Sequence, residues 1–434
     1  MFSKRIAALA FIFVIFQHFE VVSLGGFPLT MGLVVGLLLV LLVTPRTPYG
    51  PLTAALALVV ALSGFAAVAT PSVDSAEYFR TLGLFLLCAF IITRAIWSDV
   101  NPLLNISDIS SGLFVALVFV ATMSVLQVVT GYLGSVAFFN PFGSAQYLYQ
   151  YKPHIEFVEF PRAQGFFLEP SYDAFVIGSL TTALLCLGKR QLLSVLFGAI
   201  GLLACQSATG LIIFAAVLVV VAIRSGPAIR LTALVLVSAT LVIAGSTVIG
   251  RLDSIGTTST SANYRILAPL EVLRDTLLNS PFGRPLGSVA KTLSTYGLQN
   301  GVTQGTSLDN GLYVLVFYFG WTGLIAVCAW ALFTVVIVAR RLSRWPKNNL
   351  SWIAPIWIFL SMLFSGGIML PEFAIGTWLV IICFRASPKL TKTEGDSLEL
   401  EAEAEHSDRN VSRSGGLRKD ARFSGTAPFA RRGL

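Results

Sequence analysis

The sequence predicts an all-α, polytopic integral membrane protein, and its composition and apolar patterning are the grounds for this prediction. Of its 434 residues, 55% are hydrophobic and only 12% are charged, whereas a soluble domain carries about 25% charged residues. Apolar runs recur along the chain at lengths near the roughly 20 residues that one transmembrane helix needs. This composition excludes an ordinary soluble enzyme, a disulfide-linked scaffold and a disordered chain.

Twelve apolar runs are candidate transmembrane helices, with edges set to within a few residues. They cover residues 6–22, 29–44, 51–69, 79–97, 110–130, 171–188, 191–207, 208–223, 229–250, 309–339, 351–366 and 371–385. The run 309–339 exceeds the length of one span, which predicts either a broken or a strongly tilted helix, and Gly320 and Gly323 are the candidate positions for a break. Lys4 and Arg5 precede the first run, and no cleavage site of the small-x-small type follows it, so this run is expected to remain as an anchor.

The positions of lysine and arginine predict the orientation of these spans. With the N-terminus inside, basic residues collect at the inner ends, as the positive-inside rule requires. The inner ends carry Lys4, Arg5, Arg46, Arg94, Lys189, Arg190, Arg224, Arg230, Arg340, Arg341, Arg344, Lys347 and Arg385. Arg80 apart, the basic residues of the other side fall in two long external loops, about 131–170 and 251–308. The even number of spans places both termini in the cytoplasm.

The membrane domain is expected to cover residues 1–385, and residues 386–434 are expected to form a disordered cytoplasmic tail. The tail is rich in charge, with 9 Lys/Arg and 8 Asp/Glu. The net charge of +8 does not indicate nucleic-acid binding, because the basic residues stand singly at segment ends. The five cysteines and three histidines are scattered, so neither a metal site nor a cofactor is expected. The sequence contains no Walker A motif, so it does not support ATP-driven transport.

Polar residues crowd the end of the first long loop, where the chain enters the next apolar run. This segment reads Pro161-Arg162-Ala163-Gln164-Gly165-Phe166-Phe167-Leu168-Glu169-Pro170-Ser171-Tyr172-Asp173-Ala174. Arg162 on the outer side fits an anion site, because guanidinium binds phosphate oxygens in a bidentate fork; lipid headgroup contacts or local ion pairs are the alternative. Glu169 and Asp173 share a face if both are helical. Each of them is a candidate general base. Alternatively, each caps the start of a helix that begins at Pro170.

The second long loop carries a comparable set of residues. It contains Asn263-Tyr264-Arg265 and Asn279-Ser280-Pro281-Phe282-Gly283-Arg284, and it ends in Ser307-Leu308-Asp309-Asn310-Gly311. Arg265 is a second candidate for binding an anion, and Arg284 is a weaker one. Asp309 and Asn310 form either a helix N-cap pair or a pair of ligand-binding groups. The Ser-Pro-Phe-Gly segment indicates a turn.

Taken together, these motifs resemble those of a known family. An Arg-x-x-Gly-Phe-Phe-x-Glu-Pro-Ser-Tyr-x-Ala segment leads into a span, and a second external loop holds an arginine, a Ser-Pro-x-Gly turn and a polar pair ending in Asn. The arrangement resembles the Wzy-type polysaccharide polymerases of the O-antigen ligase/polymerase superfamily, in particular those serving exopolysaccharide or colanic-acid-like export. By this resemblance Arg162, Gly165, Arg265 and Asn310 match motif residues. Asp309 stands where ligases of the superfamily usually carry histidine, which favours a polymerase.

The resemblance implies a GT-C-like fold with two large periplasmic loops in the bacterial inner membrane. It also implies a metal-independent glycosyltransferase that polymerises undecaprenyl-diphosphate-linked oligosaccharide units into exopolysaccharide or O-antigen, with a chain-length regulator and an export complex as partners besides the lipid bilayer. Arg162 and Arg265 would stabilise the leaving diphosphate, and Glu169 would take the acceptor proton, with Asp173 or Asp309 as the alternative base. The residues expected to bind substrate are Gly165, Tyr172, Asp173, Tyr264, Arg284, Asp309 and Asn310. A ligase, and a flippase or transporter, are the alternatives.

Overall fold

A computed structural model describes most of the chain before residue 388. The described residues are 2–24, 27–69, 74–135, 147, 161–224, 226–228, 230–238, 253, 256, 261–300, 303–304, 307–344, 350–363, 368 and 370–387. They lie in the first of the two units into which the chain divides, Met1–Ser387. The predicted tail from residue 388 on, most of the predicted first loop and residues 239–250 of the ninth predicted span lie outside the described residues.

The described part of the chain is mostly helical, which confirms the all-α class. Its helices are α1 (Phe2–Ile15), α2 (Met31–Val43), α3 (Tyr49–Ala69), α4 (Ser75–Trp97), α5 (Ile106–Tyr132), α6 (Pro170–Cys186), α7 (Gln191–Cys205), α8 (Ala208–Arg224), α9 (230–238), α10 (Ser261–Ile266), α11 (Ala268–Asn279), α12 (Val289–Thr295), α13 (Gly311–Arg344), α14 (Ile353–Leu363) and α15 (371–387). Two antiparallel hairpins accompany them, formed by β1 (Glu20–Leu24) with β2 (Phe27–Thr30) and by β3 (Gln299–Asn300) with β4 (Thr303–Gln304). The apolar runs gave no sign of these hairpins.

Within the described residues, four helices are long and apolar enough to cross a membrane. They are α3, α4, the part Asp108–Tyr132 of α5 and the part Gly311–Arg340 of α13. The chain is therefore an integral membrane protein. The shorter apolar helices, among them α2 and α7, coincide with predicted spans but fall below the roughly 20 residues of a full span. The count of twelve spans stays a prediction.

At one end of the bundle, basic side chains bind the carbonyl oxygens of helix ends. Arg94 of α4 donates a hydrogen bond to the carbonyl oxygen of Thr44, just after α2. Arg385 of α15 donates to the carbonyl oxygens of Ala95 and Ser98, both at 2.7 Å. These bonds place the C-terminal ends of α2, α4 and α15 together. Such a grouping agrees with the alternating direction of the predicted spans.

The N-terminal ends of the same helices lie at the opposite end of the bundle, beside the second loop. Thr30, the N-cap of α2, donates a hydrogen bond to Glu372 in the first turn of α15. Gly287 of the second loop packs so closely on Glu77 of α4 that a Cβ there would come within 2.8 Å of the Glu77 backbone. Since α6 and α13 also begin beside these residues, this end of the bundle holds the candidate site.

Helix α6 runs through the core of the bundle. It is apolar on all sides, and nearly all of its residues are buried, as expected for a helix with neighbours on every side. Gly178 lets Trp357 of α14 lie directly against its backbone, and the Trp357 indole N–H donates to Ser179 Oγ at 3.1 Å. The packed helix therefore holds its N-terminus, where the first-loop motif ends, in a fixed position.

The long helix α13 breaks at Gly320, which confirms the predicted break. Gly320 has φ 55° and ψ −131°, a conformation accessible to glycine and not to residues with a side chain. Beyond Gly320 the chain folds back on itself. The close approach of Gly323 to Leu315 shows this, since a Cβ on Gly323 would overlap the Leu315 carbonyl oxygen. In a straight helix, residues eight positions apart would be separated by about 12 Å. Residues 311–319 therefore form a short helix of their own, and the run is not one continuous span.

Candidate functional site

The end of the first loop is held in place by one buried amide, that of Gln127 on α5. Its Oε1 accepts from the backbone N–H of Gln164 at 3.0 Å and of Gly165 at 2.9 Å. Its Nε2 donates to the Gly165 carbonyl oxygen at 2.8 Å. On the other side, the Ala163 N–H donates to the carbonyl oxygen of Ala204, near the end of α7, at 3.0 Å. The segment that carries Arg162 is thus bound to two helices.

Asp173 supports this segment from inside the protein. It is fully buried, and its Oδ2 accepts from Ser124 Oγ at 2.8 Å and from the Cys205 thiol at 3.1 Å. Gly165, with φ 57°, lies against the carboxylate, because a Cβ there would be 3.1 Å from both oxygens. This geometry supports a positioning role for Asp173, and the substrate contact expected from the sequence stays a prediction.

Glu169 is placed differently from Asp173, so the expected common helical face does not form. Glu169 is the N-cap of α6 with an extended backbone, φ −144° and ψ 151°. Its side chain is half-buried, and its Oε2 accepts from Ser171 Oγ at 3.1 Å. Of the two carboxylates in the motif, Glu169 is the one nearer the surface. Arg162 is also half-buried, and its charge reaches Cys205 at the end of α7.

We expect Gln127→Leu to destabilise the folded protein by releasing the first-loop motif. The substitution removes three hydrogen bonds and leaves buried backbone groups of Gln164 and Gly165 unsatisfied, at a cost of about 1–3 kcal/mol for each group. The measurement is the Tm of the detergent-purified protein. Thr130→Ala on the same helix is the control, because the Thr130 hydroxyl bonds only within α5 in the described contacts. Equal Tm values for both variants would contradict the anchoring role of Gln127.

In the second loop, Tyr264, Arg265 and Asp309 form one connected group. Tyr264 is buried, and its hydroxyl donates to the carbonyl oxygen of Ser307. Burial raises the pKa of Tyr264 to about 12, and the charge of Asp309 adds to the shift, so the phenol remains a donor at neutral pH. Arg265 Nε pairs with Asp309 Oδ2 at 3.4 Å, while Ser307 Oγ donates to the other oxygen of Asp309 at 3.1 Å.

Asn310 caps the first part of α13, which confirms the N-cap interpretation. Its Oδ1 accepts from the N–H groups of Leu312 at 3.0 Å and Tyr313 at 3.3 Å. The Tyr313 hydroxyl then donates to the carbonyl oxygen of Ile266, next to Arg265, at 3.1 Å. The second-loop arginine is therefore fixed relative to the start of α13.

The Ser-Pro-Phe-Gly turn of the second loop docks on the break in α13. The Trp321 N–H donates to the Pro281 carbonyl oxygen at 3.0 Å, and the Arg284 N–H donates to the Phe317 carbonyl oxygen at 2.8 Å. In an unbroken helix, Trp321 would have donated to Phe317 directly. Two hydrogen bonds between α13 and the second loop thus take the place of the one helical bond that is lost at the break.

The side chain of Arg284 is engaged within the second loop. Its Nη2 forms an ion pair with Asp275, and its Nε donates to Thr276 Oγ1 at 2.9 Å. A hydrogen bond from Tyr296, together with Asn279 and Arg284, lowers the pKa of Asp275, so the pair stays charged. These contacts support an anchoring role for Arg284 within the second loop, and its expected substrate contact stays a prediction.

Tyr172 lies in the first turn of α6, which approaches the start of α13. Phe175, three positions after Tyr172, packs against the cluster that contains Leu312, two positions after Asn310. Asp309 and its partner Arg265 belong to the second loop, more than ninety positions further along the chain than Tyr172, and their charges and that of Glu169 influence the Tyr172 hydroxyl. The structure therefore brings Glu169, Tyr172, Arg265 and Asp309 near one another.

Two residues of this neighbourhood, His18 and Glu372, were not among the predicted site residues. The His18 ring lies 4.8 Å from the Tyr172 ring and 5.9 Å from the Phe167 ring, measured between centroids. Glu372 is buried and also acts on the Tyr172 hydroxyl. Each is an isolated ionisable residue within or beside an apolar run, a pattern typical of functional residues in membrane proteins.

An apolar cavity of about 890 Å³ lies between α3, α4, α13, α14 and α15. Its lining includes Cys88, Phe319, Trp330 and Phe373. Phe373 of this lining stacks on Phe175 of α6 at 4.2 Å between ring centroids, so one part of the cavity adjoins the first turns of α6, which carry Tyr172. Among the residues that the structure describes, no group of three or more His, Cys, Asp or Glu side chains is placed to hold a metal ion.

An apolar helical bundle with an arginine-carboxylate cluster at one end and an apolar cavity between its helices defines the class of the chain as an integral membrane protein. Residues 5–386 match the model of the family described as WcaD colanic acid polymerase, and the chain belongs to that family. It is also 24% identical over 387 residues to the "Putative colanic acid polymerase" of Escherichia coli (strain K12), covering 84% of this chain and 92% of that protein. The resemblance to Wzy-type polymerases is confirmed, and the chain is an enzyme of exopolysaccharide biosynthesis.

Proposed function

We propose that this chain is a membrane glycosyltransferase that polymerises undecaprenyl-diphosphate-linked repeat units on the periplasmic face of the bacterial inner membrane. Membership of the colanic acid polymerase family supports the polymerisation of repeat units. The observation that carries the proposed site is the packing of the first turns of α6, where the first loop ends, near the start of α13, where the second loop ends. Both termini are placed in the cytoplasm, and a chain-length regulator and an export complex are the proposed partners.

In the proposed reaction, a hydroxyl of the acceptor repeat unit attacks the anomeric carbon of the donor glycan. The bond from that carbon to the phosphate oxygen breaks, and the lipid diphosphate leaves with the electron pair. Arg162 and Arg265 stabilise this leaving group without a divalent metal. The pair between Arg265 and Asp309 uses Nε, at 3.4 Å, so the two terminal nitrogens of Arg265 remain for phosphate oxygens.

Glu169 is the proposed general base that takes the acceptor proton. It lies at the N-cap of α6, is half-buried and belongs to the group around Tyr172. Asp173 is less suited to this role because it is enclosed, and Asp309 is less suited because it pairs with Arg265. Gly165, Tyr172, Tyr264 and Asn310 shape the site around these groups.

The apolar cavity is the proposed site of the polyprenyl chain. Its aliphatic and aromatic lining suits a hydrocarbon, and its volume of about 890 Å³ suits a large ligand. Phe373 lines the cavity, and the neighbouring Glu372 belongs to the polar group around Tyr172. A lipid held there would place its diphosphate near the two arginines.

We expect an alkaline phosphatase reporter, which folds only outside the cytoplasm, to be active when it is fused after residue 162 or residue 265. The positive-inside rule places both loops on the external side. A fusion after residue 344, at the end of α13, is the control and should be inactive. The measurement is phosphatase activity per amount of fusion protein. An inactive reporter at both loop positions would exclude a periplasmic site.

A ligase that transfers a finished glycan to another acceptor is the second candidate from the same superfamily. Asp309 at the position where ligases usually have histidine favours the polymerase. Lipid-linked intermediates separate the two, because cells without a polymerase accumulate single repeat units and cells without a ligase accumulate long chains. A flippase would instead move lipid-linked units across reconstituted vesicles without forming glycosidic bonds.

A further inference from the structure

His18 is a buried polar residue whose Nδ1 has no hydrogen-bond partner within the described part of the chain. The side chain is 3% exposed. Buried polar atoms are nearly always hydrogen-bonded, and an exception needs an explanation. Because this nitrogen lies beside Tyr172 in the candidate site, a ligand that supplies the missing bond is such an explanation.

The backbone around His18 is fixed by the start of α2. The Gly32 N–H donates to the carbonyl oxygen of Phe16 at 3.0 Å. Gly32 lies so close to this turn that a Cβ would overlap the backbone of Gln17. Close packing and a hydrogen bond therefore hold the His18 ring in a defined position against Tyr172.

Glu372 is a second buried polar residue, and contacts link it to both His18 and α6. It is 6% exposed and accepts a hydrogen bond from Thr30. The next residue, Met31, donates its N–H to the carbonyl oxygen of Phe19, the neighbour of His18, at 2.7 Å. On the other side, Phe373 stacks on Phe175 of α6 at 4.2 Å between ring centroids. A carboxylate at the start of an apolar helix is costly to bury, and such residues in membrane proteins are mostly functional. The proposed mechanism assigns no step to either Glu372 or His18.

We propose that His18, Tyr172 and Glu372 form the subsite that binds a sugar of the acceptor repeat unit, an inference that rests on the proposed function. A sugar presents hydroxyl groups around an apolar ring face. The Tyr172 ring packs on that face, while His18 Nδ1 and the Glu372 carboxylate accept hydrogen bonds from hydroxyls. A carboxylate repels diphosphate, so this subsite suits the acceptor sugar and leaves the lipid diphosphate to the arginines.

Access to His18 requires a movement of Tyr172. The Nδ1 atom is enclosed in this structure, and the Tyr172 ring lies against the imidazole. Tyr172 itself is half-buried, so its ring turns aside as the sugar enters. The subsite thus closes around the acceptor when it is bound.

The test is a reconstituted polymerisation assay with saturating donor glycan and a varied concentration of acceptor. The acceptor is the lipid-linked repeat unit extracted from cells that lack this chain. His18→Phe keeps an aromatic ring against Tyr172 and removes the nitrogen. We expect it to raise the KM for the acceptor about tenfold, with kcat within about twofold of the wild type. His18→Asn places a polar atom near the position of Nδ1 and should recover most of this loss.

Glu372→Gln and Thr30→Val separate binding from a structural link between α2 and α15. Both substitutions alter the Thr30–Glu372 bond, and Thr30→Val also removes the N-cap of α2. We expect Glu372→Gln to raise the acceptor KM several-fold more than Thr30→Val does. Equal effects of the two, or an unchanged KM in His18→Phe, would overturn the subsite. A wild-type protein that forms no glycosidic bonds would overturn the proposed function and this inference together.

Discussion

The Arg162→Ala and Arg265→Ala proteins are expected to reach the membrane at normal levels and to make no detectable long polymer. Each substitution removes a fixed positive charge from the place where the leaving diphosphate gains negative charge. Losing one such group costs about 10²-fold or more in rate. The measurement is polymer length and yield in cells, together with the rate of bond formation by the purified protein. The polymer yields and rates of the corresponding Arg-to-Lys variants should lie between those of the wild type and the alanine variants, because lysine keeps the charge without the bidentate fork.

Arg80→Ala is the matched control for these two variants. Arg80 also lies on the predicted outer side, where it pairs with Glu77 one helical turn away at 2.7 Å. Both side chains are well exposed, and exposed pairs of this kind contribute little. The control should therefore make normal polymer, while the Arg162 and Arg265 variants accumulate single repeat units on the lipid carrier. Normal long polymer from both variants would reject the proposed site.

Gly320→Ala is expected to destabilise the folded protein strongly, although it adds only one methyl group. The φ of 55° and ψ of −131° strain any residue with a side chain, at about 1–3 kcal/mol. The added Cβ would also overlap the Pro281 carbonyl oxygen and approach the Gly283 backbone, neither of which can rotate away. The measurement is the Tm of the detergent-purified protein and its amount in the membrane, and both should fall.

Two further glycine substitutions give this prediction its comparison. Gly283→Ala tests the same contact between the turn and α13 from the loop side. Gly283 has a φ of 93°, and its added Cβ would overlap the Tyr318 carbonyl group, so this substitution should lower Tm similarly. Gly83→Ala on α4 adds a methyl group into open space and should leave Tm unchanged. A Gly320→Ala protein with the Tm of the Gly83→Ala protein would contradict the break in α13.

The sequence predicted those features that depend on local composition. Apolar runs predicted the membrane class, Gly320 predicted a break in α13, and the position of Asn310 before a helix predicted its cap. The two arginine-bearing loops were expected to act together; the first turns of α6 do pack near the start of α13, while the joint action of Arg162 and Arg265 stays a prediction. Each of these predictions depends on a few neighbouring residues or on the alternating direction of successive spans across the membrane.

Features that depend on distant partners were not predicted. Gln127 stands in an apolar run, and its role follows only from backbone groups 37 and 38 positions later. His18 and Glu372 come from opposite ends of the membrane domain and gain meaning only when packing places both beside Tyr172. Likewise, Asp173 is a carboxylate beside the first-loop motif, as a site residue would be, but the packing of α5 and α7 encloses it.

The exchange of hydrogen bonds between the Pro281 turn and the interrupted α13 has an evolutionary consequence. A segment whose own carbonyl and amide complete a neighbouring helix cannot diverge independently of that helix. Chimeras that transplant the second loop between relatives with different glycan products would therefore have to carry residues 311–323 along with it. The second loop and the interrupted helix are thus one structural module.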